Sequence, residues 1–256
     1  MIHESAIIDP TAKIADNVEI GAYSIIDKNV CISEGTIIKE NAVIRENTTI
    51  GKNNLIYQFA TIGEKPQDLK FQNEITSCTI GDNNIFREYC SIHRGTSDGI
   101  SDTNIGDGNL FMAYTHVAHD CIIKNNCILS NGASLAGHVN LDSFVSLGGF
   151  TLVHQFCSIG EYAFSGLGTV ISQDVTPYTL VAGNHAKAYK INSVGLKRKG
   201  FDSESILNLE KTFKLFVKSK KTKEDREKLY KDSNLSNPYT EKFVKFILES
   251  ERGITR

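Results

Sequence analysis

No apolar stretch in this 256-residue chain approaches the roughly 20 residues that a membrane helix needs, so no membrane span is expected. The opening residues, Met1-Ile2-His3-Glu4-Ser5, have neither a basic n-region nor an apolar core, and no export signal is expected. No CxxC pair occurs among the six cysteines, which argues against a disulfide framework and against a zinc knuckle. A reducing, cytoplasmic setting is expected. Hydrophobic residues make up 40% and charged residues 23%, the balance of a globular chain and not of a disordered one. The length allows one large domain or two small ones.

The formal net charge of −2 hides an asymmetry. Residues 187–256 carry 18 Lys+Arg against 10 Asp+Glu, net +8, and residues 1–186 carry the other 10 against 20, net −10. An acidic body with a basic tail points to an anionic partner for the tail, although a solvated helical surface has the same appearance.

What the sequence does contain is a repeat. Ile8, Ile14, Ile20, Ile26, Ile32 and Ile38 begin a series that runs unbroken at intervals of six to Ile62. Four residues after most of them stands a small or β-branched residue, such as Ala12, Val18, Ser24 and Val30. A period of six fits neither a 3.6-residue helix nor antiparallel strands at 8–12-residue spacing. It fits a three-sided prism in which one hexapeptide forms each face and 18 residues close a coil. The large aliphatic side chain points inward and the small one fills the corner. The expected fold is therefore mainly β, a left-handed parallel β-helix of hexapeptide repeats. The repeat pauses at 63–79 and again at 93–104, then returns one residue out of phase from Ile105 to Ile159. Ser165 breaks it, Ile171 restores it and Pro177 ends it. Two excursions from a strict prism are loops, where binding groups usually stand. Cys90, Cys121, Cys127 and Cys157 occupy the small corner position, which makes each a filler.

Beyond residue 187 the six-period is lost, and 187–256 reads as a basic α-helical C-terminal domain following a 1–186 prism. Asp202 to Ser219 places Ile206, Leu209, Phe213 and Phe216 on one helical face behind an Asp/Ser cap. Thr222 and Asp225 read as a capping box for a second helix. Pro238 opens a third helix carrying Phe243, Phe246 and Ile247.

Four of the seven histidines, His116, His119, His138 and His154, lie in the second repeat block. With 18 residues per coil, His119, His138 and His154 are expected near one edge, on coils roughly 4.8 Å apart. Metal binding is one reading, since γ-type carbonic anhydrases take histidines from this kind of prism. The spacing fits that pattern poorly, because His93, the upstream candidate, reads as a loop residue in a different phase. General-base catalysis is the other reading. Asp120 directly follows His119, and a neighbouring carboxylate fixes the imidazole tautomer and raises its basicity. No serine or cysteine stands as an obvious nucleophile, so direct transfer to a substrate hydroxyl fits better than a covalent intermediate. Gly137, on the adjacent coil, offers an unhindered N–H to an oxyanion developing beside His119.

The run His116-Val-Ala-His119-Asp120-Cys121, with Leu135-Ala-Gly137-His138 and His154-Gln155-Phe156-Cys157, resembles the UDP-N-acetylglucosamine O-acyltransferase family of lipid A synthesis. So do Gln67-Asp68-Leu69-Lys70, His93-Arg94-Gly95-Thr96, Gly183-Asn184-His185-Ala186 and Gly195-Leu-Lys-Arg-Lys-Gly200-Phe201, in order along the whole chain. The resemblance implies that His119 is the general base for the glucosamine 3-hydroxyl, that Asp120 orients it and that Gly137 is the oxyanion donor. It implies substrate contacts from Asp68, Lys70, His116, His138, His154 and Gln155, and nucleotide contacts from Asn192, Arg198 and Lys199. It also implies a homotrimer with active sites between subunits. The acyl donor is a 3-hydroxyacyl chain on the phosphopantetheine of acyl carrier protein, an acidic partner suited to the basic tail. No cofactor, metal or nucleic acid is expected. Leu167 matches the position of the family's hydrocarbon ruler, which implies acyl chains of about 10–12 carbons. Val194 departs from the family pattern, where an acidic residue often stands two after the asparagine matching Asn192. The related N-acyltransferase carries an additional N-terminal domain, whereas this prism begins by residue 8. A non-catalytic scaffold would need no stacked histidines. Whether the acceptor bears a 3-hydroxyl or a 3-amine is open at this level.

Overall fold

The computed structural model describes residues 1–219, 222–232 and 237–256. From Ile7–Ile8 to Val170–Ile171 the chain is a succession of short strands, mostly two residues long. Ile7 pairs with Ile25 and Ile8 with Ile26, the 18-residue coil that the hexad period predicts. The strands form three parallel faces. The first begins with Ile7–Ile8, the second with Lys13–Ile14 and the third with Glu19–Ile20. The second residue of each strand points inward: Ile26, Ile44, Phe86, Phe111 and Leu129 are all buried. Each such side chain contributes about 1.5–3 kcal/mol by leaving water. The small residue four places on fills the corner, as Ala42, Cys90 and Cys121 do.

Most corners this tight carry a left-handed backbone residue. Along the first edge, between the first and second faces, Asn29, Asn47, Asp120, His138 and Phe156 have φ of 58°, 59°, 60°, 62° and 65°. Asn, Asp and His tolerate this region better than other side chains. Both interruptions of the repeat leave from this same edge. One runs from the strand Thr61–Glu64 to Ser77–Ile80, the other from Ser91–His93 to Asp102–Ile105. The loops are thus shorter than 63–79 and 93–104, because their flanks pair in the sheets: Ser77 with Asp102, Cys78 with Thr103, Glu64 with His93. Ser165 does occupy an inward slot, and its hydroxyl is satisfied by Thr151 Oγ1 at 2.8 Å and the Gly148 N–H at 3.0 Å.

The third face continues past Pro177. The strand Thr179–Ala182 adds parallel to Phe164–Ser165, and Lys187–Ile191 adds antiparallel to it. The first five residues of the segment read as helical are therefore strand. Helix α1 (Ser193–Arg198), which its short length hid from periodicity, follows. Helix α2 (Ser203–Phe216) is capped by Asp202 and buries Ile206, Leu209, Phe213 and Phe216. Helix α3 (Lys223–Asp232) begins with a reciprocal Thr222–Asp225 capping box, both bonds 3.1 Å. Helix α4 (Pro238–Glu249) buries Phe243, Val244 and Ile247, with Phe246 half-buried. The segment after α4 returns to the prism, where Asp174 donates to the Gly253 carbonyl and accepts, through its own carbonyl, from Thr255 N–H. Among the described residues no helix is long and apolar enough to cross a membrane.

The corner cysteines are packing groups. All six thiols are free, and only Cys31 is less than fully buried. Burial pushes the thiols of Cys121 and Cys127 up to about 12 and that of Cys157 to about 11. A thiol-specific chromogenic reagent at pH 8 should titrate one fast group in the native protein and six after denaturation. Fast reaction of any corner cysteine would contradict this packing.

Candidate active site

The strand His116–Val117 belongs to the first face and Ile122–Ile123 to the second. The turn between them is His119-Asp120, and the turn one coil on is Gly137-His138. His119 Nδ1 lies 2.8 Å from Asp120 Oδ2, so the ring donates there and its Nε2 is the basic nitrogen. Among the described residues Nε2 has no hydrogen-bond partner. The Asp120 side chain is 0% exposed. Burial alone would raise its carboxyl, yet hydrogen bonds from His119 and Thr96 hold it below the ordinary carboxylate range.

The His119 and His138 rings meet edge to face with centroids 5.1 Å apart, the spacing expected of adjacent coils. His154 does not continue that stack. Phe156 lies over His138 at 4.4 Å, nearly parallel, because residues 18 apart share a corner and 156 follows 138. His154 is exposed and its Nδ1 lies 2.8 Å from Arg252 Nη2 of the C-terminal segment. His93 closes a strand instead of standing in a loop, and its ring meets that of His116 at 4.7 Å. Burial pushes His93 down to about 4, with the neighbouring His116 adding to the shift, and burial also lowers His116 and His138. Burial thus favours the neutral form of all three neighbours, and His119 is the imidazole that rests against the buried carboxylate.

A cavity of about 390 Å³ opens on the first face, lined by His116, His119, Ser134, Gly137, Leu152 and Gln67 from the first loop. A second, of about 670 Å³, lies across the edge beside Asp120, His138 and the C-terminal segment. Asp68 is close enough to bear electrostatically on His138. Its Oδ1 accepts the Lys70 N–H at 2.9 Å, while the Lys70 side chain is exposed, as is Gln155. His119, Asp120 and His138 bring donor atoms within 4.8 Å of one another. Both Asp120 oxygens, however, already accept hydrogen bonds, from Thr96, Ile100 and His119, so the donor set suits an oriented dyad better than a metal ion.

Asn192, Arg198 and Lys199 stand elsewhere. Asn192 caps α1, its Oδ1 accepting the Gly195 N–H at 3.2 Å and its amide donating to the Tyr162 carbonyl at 3.1 Å. Arg198 and Lys199 are exposed, with Lys199 Nζ 5.1 Å from the centre of the Phe144 ring. Tyr162 and Phe144 belong to the second edge, so this group does not meet the histidines of the same chain. Leu167 lies at the third edge, 78% exposed, its Cδ1 over Gly149 of the coil below. Val194 is also exposed. Gln67, Thr96 and Arg252 escaped sequence reasoning as site residues. The first two lie in quoted motifs, but nothing in Arg252's surroundings signals that it reaches His154.

Residues 174–255 match the family model described as Udp N-acetylglucosamine O-acyltransferase, Domain 2, and residues 102–137 match the bacterial transferase hexapeptide model. The chain is 46% identical over 255 residues to the acyl-[acyl-carrier-protein]–UDP-N-acetylglucosamine O-acyltransferase of Pseudomonas putida, covering 100% of this chain and 99% of the other. Among solved structures it is similar to the UDP-N-acetylglucosamine O-acyltransferase of Moraxella catarrhalis (41% identity, TM-score 0.96, 100% and 99% covered). The UDP-N-acetylglucosamine acyltransferase of Bacteroides fragilis is similar too (39% identity, TM-score 0.97, 100% of both covered).

A Cβ added to Gly137 would stand 2.6 Å from His119 Cε1 and 2.8 Å from Nε2. Gly137→Ala keeps the backbone N–H but should displace the imidazole, lowering turnover by about 10²-fold, the scale of a positioned general base, at an unchanged melting temperature. Steady-state kinetics showing turnover within threefold of wild type would contradict this reading.

Proposed function

The chain belongs to the UDP-N-acetylglucosamine O-acyltransferase family, and from that premise we propose that it moves a 3-hydroxyacyl chain from acyl carrier protein to the glucosamine 3-hydroxyl of UDP-N-acetylglucosamine, the first step of lipid A synthesis. One observation carries the mechanism: His119 is anchored through Nδ1 to a buried, ionised Asp120 while Nε2 faces the cavity beside Gly137. Nε2 takes the proton of the sugar hydroxyl as its oxygen forms a bond to the thioester carbonyl carbon. The carbonyl oxygen gains the negative charge and is held by the Gly137 N–H, which has no partner among the described residues. Collapse breaks the C–S bond, and the departing phosphopantetheine sulfur takes the proton back from the His119 imidazolium. Asp120 remains ionised throughout and stabilises that imidazolium.

The substrate is held by Asp68 and Lys70 of the first loop and by His116, His138, His154 and Gln155 of the first edge. Asn192, Arg198 and Lys199 bind the nucleotide, the two cations suiting a diphosphate. That group stands at the second edge and the histidines at the first, so a site using both draws on two chains, which favours a homotrimer with active sites between subunits. The prism coils left-handed, as the hexapeptide repeat implies. The net +8 tail suits acidic acyl carrier protein, and six free thiols suit a reducing cytoplasm. No cofactor or metal takes part in this reading.

The acyl chain runs from His119 along the first face. Its outward column, Ser91, His116, Ser134, Leu152 and Val170, turns apolar at Leu152. Leu167 adjoins Val170, three coils beyond His116, or roughly 14 Å at strand spacing. Each methylene denied burial there costs about 0.8 kcal/mol, and forced entry adds about 1–3 kcal/mol.

Release of thiol from 3-hydroxyacyl carrier protein in the presence of UDP-N-acetylglucosamine tests the activity, and the 3-amino analogue in a parallel reaction decides the acceptor. His119→Ala should lower kcat at least about 10²-fold with the fold retained. A variant that keeps more than a tenth of wild-type kcat rules His119 out as the base.

Donors of about 10–12 carbons should be preferred by tenfold or more over those of 14, and Leu167→Gly should move the preference towards longer chains. An unmoved length profile in that variant would dismiss Leu167 as the ruler.

A further inference from the structure

The second loop, residues 94–101, does more than interrupt the prism. Its backbone folds over the Asp120 carboxylate. Thr96 N–H donates to Oδ1 and Oδ2 at 3.1 and 3.2 Å, Thr96 Oγ1 donates to Oδ2 at 2.7 Å, and Ile100 N–H donates to Oδ1 at 3.0 Å. The only other donor to this carboxylate among the described residues is His119. A Cβ on Gly99 would stand 2.2–2.5 Å from the carboxylate atoms, so the approach depends on glycine there. The Asp120 N–H is in turn held by Thr103 Oγ1 at 2.9 Å, just beyond the loop. A carboxylate withdrawn from water stays ionised only if such donors replace the water it lost.

The loop is itself fastened. Arg94, 3% exposed, pairs with Glu46 at 2.9 Å and lies over the Phe71 ring of the first loop at 5.7 Å. Ser97 donates through N–H and Oγ to Glu74 Oε1 at 3.2 and 3.1 Å. The loop carrying Gln67 and Asp68 and the loop holding Asp120 are thus tied together next to Thr96.

We propose that the 94–101 loop is a clasp that sets the ionisation and orientation of the Asp120–His119 pair, with the Thr96 hydroxyl as its positioning residue. Thr96 touches neither substrate nor reacting atom and acts through Asp120. The proposal rests on the reading of His119 as the general base. The Thr96 hydroxyl presents the positive end of its dipole to the pair, and so lowers the proton affinity of both carboxylate and imidazole. Removing it raises both. The other charged or titratable groups facing the pair are His138, with Nε2 4.0 Å from Asp120 Oδ2, and His93, His116 and Asp68 on the cavity side. Asp174, Glu249, Glu251 and Arg252 stand across the larger cavity. None of these is altered by a change at Thr96.

Thr96→Val keeps the shape and removes the donor. Its kcat for transfer from 3-hydroxyacyl carrier protein to UDP-N-acetylglucosamine should fall about 10- to 100-fold, with both KM values within about twofold. The acid limb of its kcat/KM–pH profile should move to higher pH. Thr96→Ser, which restores the hydroxyl, should recover kcat to within about threefold. In an Asp120→Asn background, Thr96→Val should cost no more than about twofold further, because the group it acts through is gone. Should the valine variant not fold, Thr96→Ala takes its place in each measurement. An unmoved pH limb, a kcat above half of wild type, failure of serine to rescue or an equal loss in the Asp120→Asn background each overturns the clasp. If His119→Ala is inactive while Thr96→Val is normal, only the clasp fails. If His119→Ala is active, the base assignment itself fails.

Discussion

Six residues per face is the constraint from which the rest follows. A hexapeptide has room for one inward aliphatic, one outward residue beside it and a corner, and the requirement at most corners is one residue at positive φ. That requirement favours Asn, Asp, His and Gly at a fixed phase. At the first edge the phase delivers Asn29 and Asn47 low in the prism, then Asp120 and His138. Two of the residue types that suit the backbone there, Asp and His, also hold and move protons. An aromatic at that position costs more in backbone strain. Phe156 shows that it is tolerated where its ring stacks on the corner below.

Stacking coils 18 residues apart turns this local choice into electrostatics. Histidines that are distant in sequence meet at about 5 Å, and burial lowers His93, His116 and His138. Several imidazolium ions so close together would repel one another. Keeping the neighbours neutral removes that penalty from any ring of the cluster that takes up a proton. The compensating negative charge, Asp120, is buried and therefore strongly felt. Its own burial is offset by donors from a loop that begins and ends at the same edge. Prism, loop and dyad are in this sense one arrangement.

The repeat made the prism legible because every coil states the same rule, and ten consecutive isoleucines leave one solution. The cysteines were legible for the same reason: Cys90, Cys121, Cys127 and Cys157 fall where alanine and threonine fall in other coils. The dyad was legible as adjacent letters, His119-Asp120, and the Gly137 approach as a neighbour at one coil's distance. What periodicity did not carry is whatever breaks the period. Thr96 reaches Asp120 across 24 residues through an irregular loop whose path no spacing rule describes. His93 reads as a loop residue because the hexad pattern pauses there, yet the ladder continues through a bulge that pairs it with Glu64. Coil counting puts His154 near the histidine stack, but Phe156, one full coil after His138, takes the place over that ring. The strand Lys187–Ile191 lay hidden because it runs antiparallel, outside the hexad rule.

A prism also measures length in whole coils. A side chain that ends the acyl groove can stand only at heights separated by about 4.8 Å, with finer adjustment left to side-chain size. Leu167 sits on the coil of Val170, and its Cδ1 rests on Gly149 below. With glycine at 166 and 168 beside it, Leu167 is the one bulky residue of its own corner, and the exposed Phe150 stands on the coil below. A substitution there leaves the inward stack undisturbed, since Leu167 contributes nothing to the core. In the proposed function, catalysis draws on buried hydrogen bonds at the first edge and chain length on an exposed side chain at the third. On that reading the two properties are free to vary independently, and a change at one exposed position retunes the donor while the dyad and the coil that carries it stay fixed.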